Sequence, residues 1–193
     1  MRKTVLFCAL IISILLSGCH HKKLGQGNTA QNASKEQVEL LQLYHEADSI
    51  YYKCGRVDTA LFNEFINKAT VFVNKHPEEQ ISPEMLYRAG IGSMILAKSA
   101  TKRPEIAKNA KTALSIFNNY QKIYPDKDKA KYCYWQRAII YDDILGDALS
   151  AEDEYRDFIN RYPNDSLTPQ FEQYIKLLGK SESEIDKELK IKE

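Results

Sequence analysis

The residues of this chain that could do chemistry are few and poorly placed for it. Four histidines are present. His45 and His76 have no nucleophile at motif spacing, and the adjacent His20 and His21 lack the third and fourth ligands that a metal site needs. Asp142 and Asp143 are neighbours within a helical pattern, where such carboxylates serve as a solvated face more often than as an acid and base pair. Gly179-Lys180-Ser181 has the letters that end a phosphate loop. The first glycine of that loop would have to be Tyr174, and a helical pattern precedes it instead of a strand, so no backbone cradle can form. Gly90-Ile91-Gly92-Ser93 lies inside another helical pattern and reads as close helix packing. The expectation is a protein that is not an enzyme and has no metal and no cofactor.

The remaining reactive group is a thiol. Arg2 and Lys3 precede an apolar run from Val5 to Leu16, which is followed by Ser17, Gly18 and Cys19. A basic start, a short apolar stretch and small residues make an export signal. A run of twelve residues is too short to cross a hydrocarbon core, which takes about 20. Without Arg2 and Lys3, 25 basic residues face 26 acidic ones, so charge supplies no case for nucleic acid. From His20 to Ala33 the chain is polar, contains glycine and lacks periodicity, as a flexible tether would. The expected division is a signal at 1–18, a tether at 19–34 and a helical domain at 35–193. A domain of that size needs no disulfide or metal to be stable. Cys54 and Cys133 fall on apolar stripes, where a free cysteine packs as a small hydrophobe; an oxidising compartment would also permit a bridge between them.

Beyond the tether almost every segment shows the helical period, with apolar residues at i, i+3 or i+4, and i+7. Leu40, Leu43, Ala47, Ile50 and Cys54 form the stripe of a first helix that Gly55 ends. Ser82-Pro83 and Thr168-Pro169 each offer a capping oxygen before a proline suited to a first turn. Ser181-x-x-Glu184 opens a short terminal helix with Ile185 and Leu189 on one face.

The chain also repeats itself. His76-Pro77, Tyr124-Pro125 and Tyr162-Pro163 each follow residues in the same register. These are Phe65, Ala69 and Phe72; Ala113, Phe117 and Tyr120; and Ala151, Tyr155 and Phe158, one helical face in each copy. In the helices before them, Arg88-Ala89 with Ile91, Ile95 and Leu96 matches Arg137-Ala138 with Ile140, Ile144 and Leu145. The repeating unit is therefore a pair of helices.

Leu16-Ser17-Gly18-Cys19 resembles the lipobox of bacterial lipoproteins, which implies cleavage before Cys19 and acylation of its thiol. The helix pairs, with Trp135, Ala151, Tyr155 and Pro163 and the small pair Ala89-Gly90, resemble tetratricopeptide repeats over roughly residues 35–178. The chain departs from that pattern at Ile139 and in its longer repeats. Together the two features resemble the envelope lipoproteins of the BamD and CpoB groups. The resemblance implies an all-α fold of TPR-like helical hairpins, about three pairs plus C-terminal helices in a short right-handed α-solenoid. It also implies an outer-membrane anchor through Cys19, on the periplasmic face or, as the alternative, the cell surface, and a groove lined by the first helix of each pair that binds another envelope protein or peptide segment. On the third such helix Ala130, Tyr134, Ala138, Tyr141 and Leu145 read as core, leaving Tyr132, Gln136, Ile140 and Asp143 on the opposite face. The equivalent residues of the second are Tyr87, Ile91 and Met94; the first contributes Tyr52 with His45 and Asp48. These are the expected partner-binding residues. A glycan or small-ligand receptor is the alternative, since aromatic rings on helical repeats can stack on sugars. Asp48-Ser49-Ile50, Asp58-Thr59-Ala60 and Asp165-Ser166-Leu167 resemble the sequon of a bacterial envelope O-glycosylation system, and Asp58 and Asp165 equally suit helix caps or turns.

Overall fold

The structure is a computed structural model that describes residues 35–180 and Glu184. The signal segment, Cys19, the tether and the rest of the expected terminal helix lie outside the described residues. Those described are all-helical, with no strand. Seven α-helices follow one another: α1 (Lys35–Cys54), α2 (Thr59–Lys75), α3 (Ser82–Ser99), α4 (Arg103–Ile123), α5 (Ala130–Ile139), α6 (Ala148–Arg161) and α7 (Thr168–Leu177). A π-helical segment, Ile140–Leu145, continues α5. Each helix packs on the next, within one compact unit, Ala33–Gly179.

The ring–proline repeat becomes one turn built three times. His76, Tyr124 and Tyr162 terminate α2, α4 and α6 with φ/ψ of −134/56°, −125/52° and −130/57°. Each donates its amide to the carbonyl four residues back, at 2.8 Å in all three. Their own carbonyls accept from the amides of Glu79, Lys127 and Asp165, whose carbonyls in turn accept from Ser82, Ala130 and Thr168. The proline after each ring cannot prolong the helix, so the chain stops in register and reverses. Ser82 and Thr168 are not the expected caps. Their hydroxyls donate backwards to the carbonyls of His76 (2.5 Å) and Tyr162 (2.7 Å), while Ile81 and Leu167 hold the cap positions without a side-chain bond. A buried hydroxyl is satisfied this way, and proline in the first turn starts the helix instead.

All nine helical residues of the repeat register are buried: Phe65, Ala69, Phe72, Ala113, Phe117, Tyr120, Ala151, Tyr155 and Phe158. The first helix of the third pair departs from its simple stripe. It buries Ala130, Cys133, Trp135, Ala138, Ile139 and Ile140, while Leu145 is 39% exposed. The π segment accounts for Leu145, since widening the turn rotates every later side chain out of the 3.6-residue phase. Gly146 then closes the segment at φ +69°, a conformation that costs a residue with a Cβ about 1 kcal/mol or more. Cys133 is fully buried but Cys54 is exposed, and both are free thiols. α1 packs chiefly on α2, so its last turn carries Tyr52, Lys53 and Cys54 outward.

Gly90 lets α3 and the Phe117 ring of α4 approach closely. A Cβ built there would lie 2.6 Å from Cε1 of Phe117. Gly90→Ala is expected to destabilise the fold by about 1–3 kcal/mol through overpacking, even though alanine favours helix. Urea unfolding of the Gly90→Ala, Phe117→Leu pair should show a smaller penalty than the two single losses added together; strict additivity would mean that the ring is not what the methyl meets.

Candidate partner-binding face

α1, α3 and α5 place their polar sides in one linked row. The Arg88 guanidinium lies 4.0 Å from the ring centroid of Tyr44 on α1 and donates through Nε to Glu84 at 2.5 Å. Glu84 also pairs with Lys129, at 2.8 Å, whose ammonium is 4.7 Å from the centre of the Tyr87 ring. Burial works to raise the Glu84 carboxyl, but hydrogen bonds from Lys129 and Arg88 outweigh it and hold the group below its ordinary value. Further along, Gln136 Nε2 donates to the Tyr87 hydroxyl at 3.2 Å, and Lys98 meets Asp143 at 3.4 Å. These bonds tie α3 to α5 near both ends and in the middle. Lys131 extends the pattern to the turn before α7 by pairing with Asp165 at 2.7 Å.

The expected partner-binding residues divide. Tyr52 is 70% exposed at the end of α1, edge-on to Tyr51. Tyr87, Tyr132, Gln136 and Ile91 are half-buried on the row, and Asp143 is exposed. Burial raises the Tyr87 hydroxyl above its ordinary pKa, and its ring stands edge-on to Phe117 and Tyr120, so only part of it faces outward. Met94 and Ile140 are core residues and offer nothing to a partner in this arrangement. Both sit on helices enclosed from several directions; Ile140 opens the π segment, which α3, α4 and α6 all touch.

Arg88 and Arg137 match in the repeat, and the sequence alone assigns neither a partner. Arg137 is 4% exposed and donates twice to Glu154 of α6, at 2.7 and 2.6 Å, and once to Gln121 of α4, at 2.5 Å. Its planar fork also lies 4.9 Å from the Tyr134 ring centre. The cluster fastens α5 between its neighbours instead of presenting a reactive group. Nearby, burial pushes the Cys133 thiol up to about 12, and the thiol donates to the Lys129 carbonyl, leaving it unreactive.

The other chemical candidates have structural occupations. His76 ends α2 with its ring beside Phe72, and the His45 ring stands edge-on to Tyr44. Gly90 and Gly92 lie against Phe117 and Phe62. Asp58 caps α2, Asp165 accepts from the Leu167 amide, and Asp48 accepts from the Tyr44 hydroxyl. Among the described residues no three acidic, histidine or cysteine side chains converge as a metal site, and no helix is long and apolar enough to cross a membrane. No family model matches the chain, and no curated protein matches it.

Proposed function

We propose that the protein is a lipid-anchored scaffold of the bacterial envelope, held through Cys19 at the periplasmic face of the outer membrane. Its TPR-like hairpins form a short right-handed solenoid, and the α1–α3–α5 face holds a segment of another envelope protein. The thrice-built ring–proline turn is the observation that carries this reading. Identical turns set successive hairpins side by side, so that the first helix of each pair joins a common face. The bonds from α1 to α3 and from α3 to α5 support the same arrangement. Tyr52 and Asp143 are its exposed contacts, with Tyr87, Ile91, Tyr132 and Gln136 half-buried at its floor. Half-buried aromatic rings in such a place suit protein recognition.

Photo-crosslinking amino acids at Tyr52 and Tyr132 should capture one discrete envelope protein. A position on α6, Asp153, should not. Capture from Asp153 alone would overturn the face assignment. The anchor is tested separately: Cys19→Ser should leave the helical domain folded and move it out of the membrane fraction, and retention at the membrane would remove the lipid from the proposal.

A further inference from the structure

The cations of the α1–α3–α5 row are already neutralised: Arg88 and Lys129 by Glu84, Lys98 by Asp143 and Lys131 by Asp165. α4 is different. Lys108, Lys111, Ser115, Asn118 and Lys122 recur at three- and four-residue spacing along it, and all five are exposed. The one acid of α4, Glu105, pairs with Lys102. Among the described residues Lys108, Lys111 and Lys122 make no ion pair.

Beside this stripe lies an open cleft of about 350 Å³ between α2 and α4. Thr70, Asn74, Ser115, Asn118, Asn119 and Lys122 form its polar walls, and the core residues Leu86 and Ile116 lie at its base, both buried. The Thr70 hydroxyl is spent on the Ile66 carbonyl. The three asparagine amides and the Ser115 hydroxyl have no hydrogen-bond partner among the described residues. Each primary amide offers a donor and an acceptor together, the complement of a peptide group. Α carbohydrate is less well served, because no aromatic ring lines the cleft for a sugar to stack on. A membrane surface is also a poor match, since none of the large exposed apolar side chains is on α4.

We propose that the α2–α4 cleft binds an extended acidic peptide segment of a partner protein, on a surface separate from the α1–α3–α5 face. The amides of Asn74, Asn118 and Asn119 meet its backbone, and carboxylates reach Lys111 and Lys122. Eleven positions separate those lysines, about 16 Å along a helix axis. An extended chain covers that length in about five residues. The segment therefore carries two acids about five positions apart.

The probe is a library of acetylated heptapeptides with glutamate fixed at the first and sixth positions and the others randomised, with a glutamine-fixed library as control, applied to the whole chain. Fluorescence anisotropy should show saturable binding of the glutamate library, at least tenfold weaker for the glutamine library and for Lys111→Gln, Lys122→Gln. These lysines are exposed and unpaired, so the variant should keep the parent's circular dichroism. In ¹⁵N spectra the side-chain amides of Asn74, Asn118 and Asn119 should shift. Equal binding of the two libraries, binding indifferent to the lysine variant, or shifts confined to α1, α3 and α5 would each overturn the proposal. Polygalacturonate or anionic vesicles binding where the peptides do not would overturn it as well.

Discussion

Glu154→Ala should be among the most damaging single substitutions in the molecule, costing about 3–5 kcal/mol of folding free energy. The Arg137 side chain is 5% exposed, and Glu154 supplies both of its anionic contacts. Without that carboxylate the guanidinium keeps Gln121 and the face of Tyr134 but loses its counter-charge in a place that water scarcely reaches. An unpaired buried charge is penalised in full, whereas a pair removed together is not. Arg137→Met combined with Glu154→Leu should therefore restore most of the loss. Glu84→Ala makes the informative contrast. Its ion pairs with Arg88 and Lys129 are about a third exposed and screened by solvent, so its expected cost is about 1 kcal/mol or less. Urea midpoints of the four proteins, compared at a common slope, measure all of this. A Glu154→Ala loss no larger than that of Glu84→Ala would show that Arg137 finds water once its partner is gone.

That contrast marks where the sequence was legible. Arg88 and Arg137 align by repeat, but repetition carries no information on which of them will be enclosed. The difference arises from α6 and α4, whose Glu154 and Gln121 reach Arg137 across 17 and 16 residues. The second helices of the pairs were readable because three copies place two rings and one small residue at the same offsets from a terminating proline, which sets their phase. α5 was less readable. It is packed by several elements at once, so a single stripe cannot describe its core, and the change to π geometry at Ile140 shifts the wheel by a hydrogen-bond choice that leaves no local mark. This is why Ile140 was expected on the partner face and lies in the core, while Leu145 was expected in the core and lies outside. Tyr52 and Asp143 are exposed and Gln136 is half-buried, so these positions can still reach a partner.

Phe158→Ala is the second large effect, and it tests how cooperatively the hairpins fold. The ring is fully buried, with centroids 4.5 Å from Phe171, 5.1 Å from Tyr162 and 6.3 Å from Tyr134. It joins α5, α6 and α7 in one aromatic cluster. Deleting it removes about 3–5 kcal/mol of packing, cavity included. Where that loss is felt depends on the architecture. In a chain of hairpins each unit contacts only its neighbours, so stability is a sum of local terms and the unit at the damaged end opens first. α7 packs on α6 largely through Phe171 and Tyr174, which meet Tyr155 and Phe158. Native-state hydrogen exchange of Phe158→Ala should therefore show α7 and the Tyr162–Thr168 turn losing protection most, α5 and α6 next, and α1 to α4 least. Loss spread evenly over all seven helices would mean a single cooperative core. In that case the ring–proline turns would set the shape of the molecule without dividing its stability, and a partner held on one hairpin would be felt by all of them.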